Sequence, residues 1–338
     1  MTKFILFFLF SLSMVIFSIK KNLLPNFSGA KHQLFLKEKK VPLIGGILIF
    51  FPIIYFFYQI NLISIFFIFL ILFIGFLSDL NILKSPKIRF FLQIIIIYFS
   101  VYILEIYISD TRIEFLDNLL NIKFFSIFFS IFCLMVLLNG SNFIDGLNGL
   151  LFGYVFIVLI IIYKLNLFNY IVVDINIILF LFYCFSLLII LNFLNLLYLG
   201  DGGSYLLGFF LGYLTITIYN LSNNISPFFI ILLLWYPCFE NLFSIIRKFK
   251  LKNSPLDADN MHLHQLFYFF FRNKFFHSNR LSNNFSSITI ISYNFIIMFI
   301  GSLSPTSSNF QATLIILNII IYLISYKYLF SFRFCKKK

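Results

Sequence analysis

The amino-acid sequence predicts an all-α, polytopic integral membrane protein of about eleven transmembrane helices, and three observations carry that expectation. Hydrophobic residues make up 61% of the 338 positions and charged residues only 11%. A soluble domain carries roughly 25% charged residues, so this chain has too few to wet a surface. Mean hydropathy is +1.01. The apolar residues also fall into stretches close to the roughly 17–25 residues that cross a hydrocarbon core as one helix.

Taken in order, the first stretch is 4–19; no small-x-small cleavage pattern precedes Lys20 and Lys21, so it reads as a retained helix. The second, 43–60, opens on Gly45-Gly46, and the third, 62–77, runs up to Ser78-Asp79. Lys84-Ser85-Pro86-Lys87 introduces 90–108. The stretch 124–139 leads into an Asn- and Gly-rich turn, after which come 149–165 and 170–191. Gly200-Asp201-Gly202-Gly203 introduces 204–220, and Pro227, suited to a first helical position, opens 227–246. A polar loop at 247–284 is expected to carry a short amphipathic helix over 264–276 before 285–303 and 311–329 close the chain. Ten spans is the alternative count. With no linker-like tract and no internal repeat, residues 1–338 read as one membrane domain.

The charge pattern gives an orientation. The net charge is +13, and 21 of the 25 Lys and Arg fall in one alternate set of loops. Cytoplasmic loops collect Lys and Arg, which predicts the N-terminus outside and the C-terminus in the cytoplasm. The same pattern accounts for the positive total without nucleic acid, which is excluded as a partner. Cys133, Cys184, Cys238 and Cys335 form no C-x-x-C pair and read as small hydrophobes, not as a zinc site or disulfide framework.

Carboxylates are scarce, 12 in all, and each costs roughly 2.5–3.5 kcal/mol at membrane depth. Asp79, Asp145 and Asp201 share a pattern: each sits at the inner end of a span, inside a turn rich in Gly and Asn. Small residues let a ligand approach the backbone, and a helix start offers free N–H groups. Hard oxygen ligands from three helices suit Mg²⁺, which takes one or two carboxylates plus substrate phosphates. Helix caps are the plainer reading of any single turn. His262 and His264, two apart in a loop with Arg247 and Lys248, suit a pyrophosphate. Glu240, inside a span, needs a partner such as Arg247. Gly208-x-x-x-Gly212 reads as close helix packing.

These motifs resemble, in order over about residues 25–270, the polyprenyl-phosphate N-acetylhexosamine-1-phosphate transferases, glycosyltransferase family 4. The family includes the phospho-MurNAc-pentapeptide translocase. Pro42-Leu-Ile-Gly45-Gly46 resembles its first cytoplasmic motif, with Lys39 at the nucleotide-binding lysine. Gly75 to Asp79 resembles the aspartate-pair motif, Asn142-Phe-Ile-Asp145-Gly146 the N-F-x-D-G-x-D-G-L signature, and Gly200 to Ser204 the G-D-x-G-S motif. His262-Leu-His264-Gln265 resembles the histidine motif of the O-antigen branch. Three departures stand out: Ser78 replaces the first Asp of the pair, Asn148 the second Asp of the signature, and Gln265 a further His.

The resemblance implies transfer of HexNAc-1-phosphate from UDP-HexNAc to polyprenyl (undecaprenyl) phosphate, releasing UMP. That is the first membrane step of a cell-surface glycan such as lipopolysaccharide O-antigen, at the cytoplasmic face of a bacterial inner membrane. It implies Mg²⁺, or Mn²⁺ in its place, bound by Asp201. Asp79, Asp145, Asp201, His262 and His264 become candidate catalytic residues, and Lys39, Asn142, Asn148, Asn192 and Arg247 candidate substrate-binding residues. Expected partners are the two substrates, membrane lipid and a second copy in a homodimer. The alternatives are a catalytically inactive relative, suggested by Ser78 and Asn148, and a transporter or flippase. The latter is opposed by polar residues gathered at one face, where transporters carry theirs near the midplane.

Overall fold

The computed structural model describes residues 2–25, 41–171, 173–222, 224–252 and 261–334. Lys39 lies outside the described residues. Thirteen α-helices are described: α1 (Thr2–Lys21), α2 (Gly45–Tyr58), α3 (Leu62–Asp79), α4 (Pro86–Leu104), α5 (Glu114–Leu120), α6 (Lys123–Ile144) and α7 (Leu150–Leu167) lead the chain. They are followed by α8 (Ile175–Phe193), α9 (Gly200–Leu221), α10 (Pro227–Lys250), α11 (Leu263–Lys274), α12 (Asn279–Gly301) and α13 (Ser308–Phe334). Among the described residues the one extended pairing is a single antiparallel bridge, Pro25 to Pro42.

Helix starts follow local chemistry. Asn61 Oδ1 accepts the Ile63 N–H at 2.9 Å at the start of α3, and Asp174 Oδ1 the Asn176 N–H at 2.8 Å at the start of α8. Ser226 caps α10 just before Pro227 in the same manner. Such caps satisfy amide groups that have no intrahelical partner.

All eleven expected apolar stretches are helical, and ten of the helices are long and apolar enough to cross a membrane. The exception is α2: its 14 residues include Pro52 and, at 1.5 Å per residue, reach only about 21 Å. The expected amphipathic helix is α11, and α5 is a short helix without a counterpart in the sequence reading. Three boundaries are corrected. α6 continues to Ile144, so Asn142 lies on a helix and not in a turn. Gly200 to Ser204 are the first turn of α9, not a loop before it. Arg247 and Lys248 belong to α10, not to the loop that follows.

The helices differ in how much of them faces outward. In α9, 78% of the spanning window is buried, against 22% in α1 and in α13. α9 is therefore the central helix, enclosed by α2, α3 and α6. α10 leads from α6 to a second group in which α11 packs on α12 and α13. At the far end from the motifs, Arg112 donates to the carbonyls of Thr306 (2.9 Å) and Ile225 (3.0 Å) and ties three loops together.

Candidate functional site

Two polar centres form at the end of the bundle where α3, α6 and α10 finish and α4, α9 and α11 begin. The first is built on α9. Gly200 has φ +78°, a conformation glycine tolerates, and Leu199 supplies no side-chain cap. The cap comes from α3: Asp79 accepts the Asp201 N–H at 2.8 Å on Oδ1 and the Gly202 N–H at 3.1 Å on Oδ2. A carboxylate there also meets the positive end of the helix dipole. This approach requires Gly75, since a Cβ at that position would strike the backbone of Asp201 and Gly202.

Asp201 is held from three sides. Its Oδ2 accepts Arg89 Nη1 at 2.6 Å and Ser78 Oγ at 2.6 Å, and its Oδ1 accepts Asn142 Nδ2 at 2.9 Å. Asn142 Nδ2 also donates to Ser204 Oγ at 2.9 Å, and Arg89 Nη1 to Ser78 Oγ at 2.5 Å. The Arg89 and Asp201 side chains are 21% and 26% exposed, so this ring opens towards solvent.

Asp145 follows α6 directly. Among the described residues, no hydrogen bond or ion pair engages its carboxylate. Burial, and then the charges of Asp201 and Asp79, hold its pKa well above the ordinary 3.8. The centre thus has three carboxylates and one guanidinium.

That balance bears on a metal. No group of three or more His, Cys, Asp or Glu able to hold an ion is found among the described residues. The donors are nevertheless hard oxygens with surplus negative charge, and Mg²⁺ needs only one or two carboxylates beside substrate phosphates. The residues fit such an ion, with Asp145 and Asp201 as the groups that would hold it. Asp201 would then exchange Arg89 or Asn142 for the cation.

The second centre joins α10, α11 and α13. Glu240, fully buried, accepts His262 Nδ1 at 2.9 Å, the Leu263 N–H at 3.3 Å and the Tyr322 hydroxyl at 2.8 Å. The expectation that Arg247 pairs with Glu240 is corrected: Arg247 Nη1 donates to the Met261 carbonyl at 2.9 Å and the Tyr326 hydroxyl at 3.2 Å. The His262 ring lies 5.2 Å from that of Phe143, beside the Asn142–Asp145 segment, and stacks on His264 at 5.5 Å and 15°. Lys248 Nζ lies 5.5 Å from the centre of the Phe143 ring. His264 Nε2 is 2.7 Å from where a Cβ of Gly146 would be, so the histidine segment rests on the turn that carries Asp145. Gln265 Oε1 accepts the His262 N–H at 3.3 Å, which gives the residue in place of a further His a capping role.

Of the predicted site residues, Asp79, Asp145, Asp201 and Asn142 come together in the first centre, with His262 and His264 beside it. Asn148 and Asn192 stand behind the turn. The Asn148 N–H donates to Asn283 Oδ1 at 2.7 Å and its Nδ2 to Asn195 Oδ1 at 2.5 Å. Asn192 Oδ1 accepts the Gly149 N–H, and its Nδ2 donates to the Leu197 carbonyl at 2.8 Å. They brace α8 and α12 against the turn.

Sequence reasoning missed Arg89 and Tyr322, and read Ser78 only as a departure from the aspartate pair, not as a donor to Asp201. Arg89 carried a signal: a cation in the first turn of a helix opposes the helix dipole and implies a partner elsewhere. Tyr322 carried none.

Residues 61–219, from the cap of α3 through all but the last two residues of α9, match the model of glycosyl transferase family 4. No curated protein matches the chain.

Proposed function

From the match of residues 61–219 to the model of glycosyl transferase family 4, we propose that this membrane protein transfers HexNAc-1-phosphate from UDP-HexNAc to polyprenyl phosphate. The general reaction of the family is sugar-1-phosphate transfer to a polyprenyl phosphate. The finer assignments, a HexNAc donor, undecaprenyl phosphate as acceptor and an O-antigen or related surface glycan as the destination, rest on the histidine segment. A lipid phosphate oxygen attacks the sugar-linked phosphorus; the new P–O bond forms as the bond to UMP breaks, and UMP leaves with the electron pair. One phosphoanhydride replaces another, so positioning and charge neutralisation are the main demands.

The observation that carries this reading is the convergence of Asp79, Asp145, Asp201, Arg89 and the His262–His264 segment at one end of the bundle. A bound Mg²⁺, or Mn²⁺, would neutralise phosphate oxygens next to Asp201 and Asp145. Arg89, paired with Asp201, supplies positive charge in the first centre, and Lys248 lies against Phe143 of the Asn142–Asp145 segment. Asp79 keeps the α9 N-terminus in place, its oxygens taken by two backbone N–H groups. A lipid phosphate is largely ionised at neutral pH, its second pKa being about 6, so no carboxylate is required to deprotonate it. Ser78 is compatible with that chemistry: it donates to Asp201 where a further carboxylate would add repulsion. Lys39, Asn142 and Arg247 remain nucleotide-side candidates, while Asn148 and Asn192 act by shaping the turn. The site is assigned to the cytoplasmic face of a bacterial inner membrane.

The test uses membranes with radiolabelled UDP-GlcNAc, undecaprenyl phosphate and Mg²⁺. Label should enter the lipid with release of UMP, and Asp201→Asn should lower transfer by about 10²-fold or more, as loss of a key electrostatic group does. Full transfer by that variant sinks the metal assignment, and absence of UMP release from every nucleotide sugar sinks the enzyme reading. The second reading, an inactive relative, rests on Ser78 and Asn148. UMP-dependent exchange of label into the UDP-sugar separates the two.

A further inference from the structure

Glu240 is a carboxylate without surface exposure, outside the stretch matched by the family model, and the transfer chemistry above makes no use of it. Burying a charge is unfavourable unless it is well paired, and replacing a buried pair with apolar residues is often neutral or stabilising. Stability alone is therefore a weak reason for it. Its partners point to another. The carboxylate can only accept, so the 2.9 Å contact puts a proton on His262 Nδ1. The nitrogen of an imidazole that carries the proton is set by the bond the ring makes to its neighbour. The Tyr322 hydroxyl, 2.8 Å from Oε2, and the Leu263 N–H, 3.3 Å from Oε1, hold the carboxylate in that direction. The ring so held lies between Phe143 and His264, and His264 touches the Asp145–Gly146 turn.

Resting on the proposed transfer reaction, we propose that Glu240 is a positioning residue that fixes the His262 ring, with Nδ1 protonated, against the Asn142–Asp145 segment, and that Tyr322 orients the carboxylate. His262 would contact the substrate; Glu240 and Tyr322 would act through it. Among the described residues, the charged and titratable groups near the pair include Tyr236 and Arg247 of α10, Tyr322 and Tyr326 of α13, Lys248 at the Phe143 ring, and His264.

The experiment labels histidine with ¹⁵N in the full-length protein in nanodiscs and assigns the His262 resonances by His262→Ala. At about pH 8.5, where an ordinary imidazole is neutral, wild-type His262 should show a protonated Nδ1. Glu240→Leu, which offers no acceptor, should lose that signature. Transfer should fall about tenfold or more in Glu240→Leu yet by less than about twofold when the same change is made on His262→Ala, since groups acting as one unit are not additive. Glu240→Gln, whose carbonyl oxygen can still accept from Nδ1, should keep much of the signal. An unchanged Nδ1 signal in Glu240→Leu, or an equal loss in both backgrounds, overturns the proposal. Should Glu240→Leu fail to fold, Tyr322→Phe takes its place with the same two readouts, expected to be smaller in size. If wild-type protein transfers nothing, the enzyme reading has failed while the ¹⁵N signal still decides the Glu240–His262 geometry.

Discussion

Asp145 and Asp79 entered the sequence reading as two copies of one pattern, an acid in a small-residue turn, and the structure separates them. Asp79 has both oxygens on backbone N–H groups, whereas Asp145 has neither oxygen engaged among the described residues. The difference has a pH consequence. The Asp145 carboxyl titrates near 3.8 in the unfolded chain and well above that in the folded one, chiefly through burial. Between those values the folded chain binds the extra proton, so stability falls as pH rises through the window. Asp145→Asn removes that dependence. Thermal melts in detergent from pH 4.5 to 8 should show the wild-type melting temperature declining more steeply than that of the variant; parallel curves would exclude Asp145 as the source. The residue-scale lesson concerns partners. The sequence reading singled out Asp201 because of its neighbours in the chain, but Arg89 is 112 positions away and no local pattern joins them. Likewise Glu240 could be recognised as in need of a partner, while Tyr322, 82 positions on, could not.

Helix by helix, hydropathy was enough to find the ten helices long enough to cross a membrane, because lipid imposes a similar apolar length on each, and it added an eleventh, α2, that is too short. Ends were harder, because they depend on contacts between helices. α6 runs on through Asn139, Gly140 and Asn142 because Gly140 packs against the Pro237 carbonyl and Asn142 has Asp201 and Ser204 to donate to. Gly208, read as a packing position, lies against Leu138 and Ser141 of α6. α3 also meets α9 backbone to backbone, at Gly75 and Gly202. Gly75→Ala puts a methyl group where Gly202 stands, and overpacking of this kind costs about 1–3 kcal/mol. It should lower the melting temperature and, by pushing Asp79 off the α9 N-terminus, lower transfer as well. Phe124→Ala, at a side chain 80% exposed in the lipid-facing belt, should do neither.

For the whole molecule, the two centres lie at the end where most of the described basic residues gather, the end that the charge pattern predicts to be cytoplasmic. The opposite end, with Arg112 and the 110–122 segment, should face outwards. In intact spheroplasts a membrane-impermeant maleimide should label Phe115→Cys readily and Lys87→Cys only after the membrane is broken; the reverse pattern inverts the orientation. What the sequence could not convey was that one helix is central. α9 holds five of the chain's 14 glycines, and neighbouring helices close in on them until backbones meet. Lipid-facing positions of α1 and α13 are permissive, because one apolar side chain serves there as well as another. At Gly46, Gly75 and Gly203 a single added carbon would run into the backbone of the neighbouring helix, so in a chain with 53 Phe the positions least able to take a side chain are those that bring α2 and α3 onto α9.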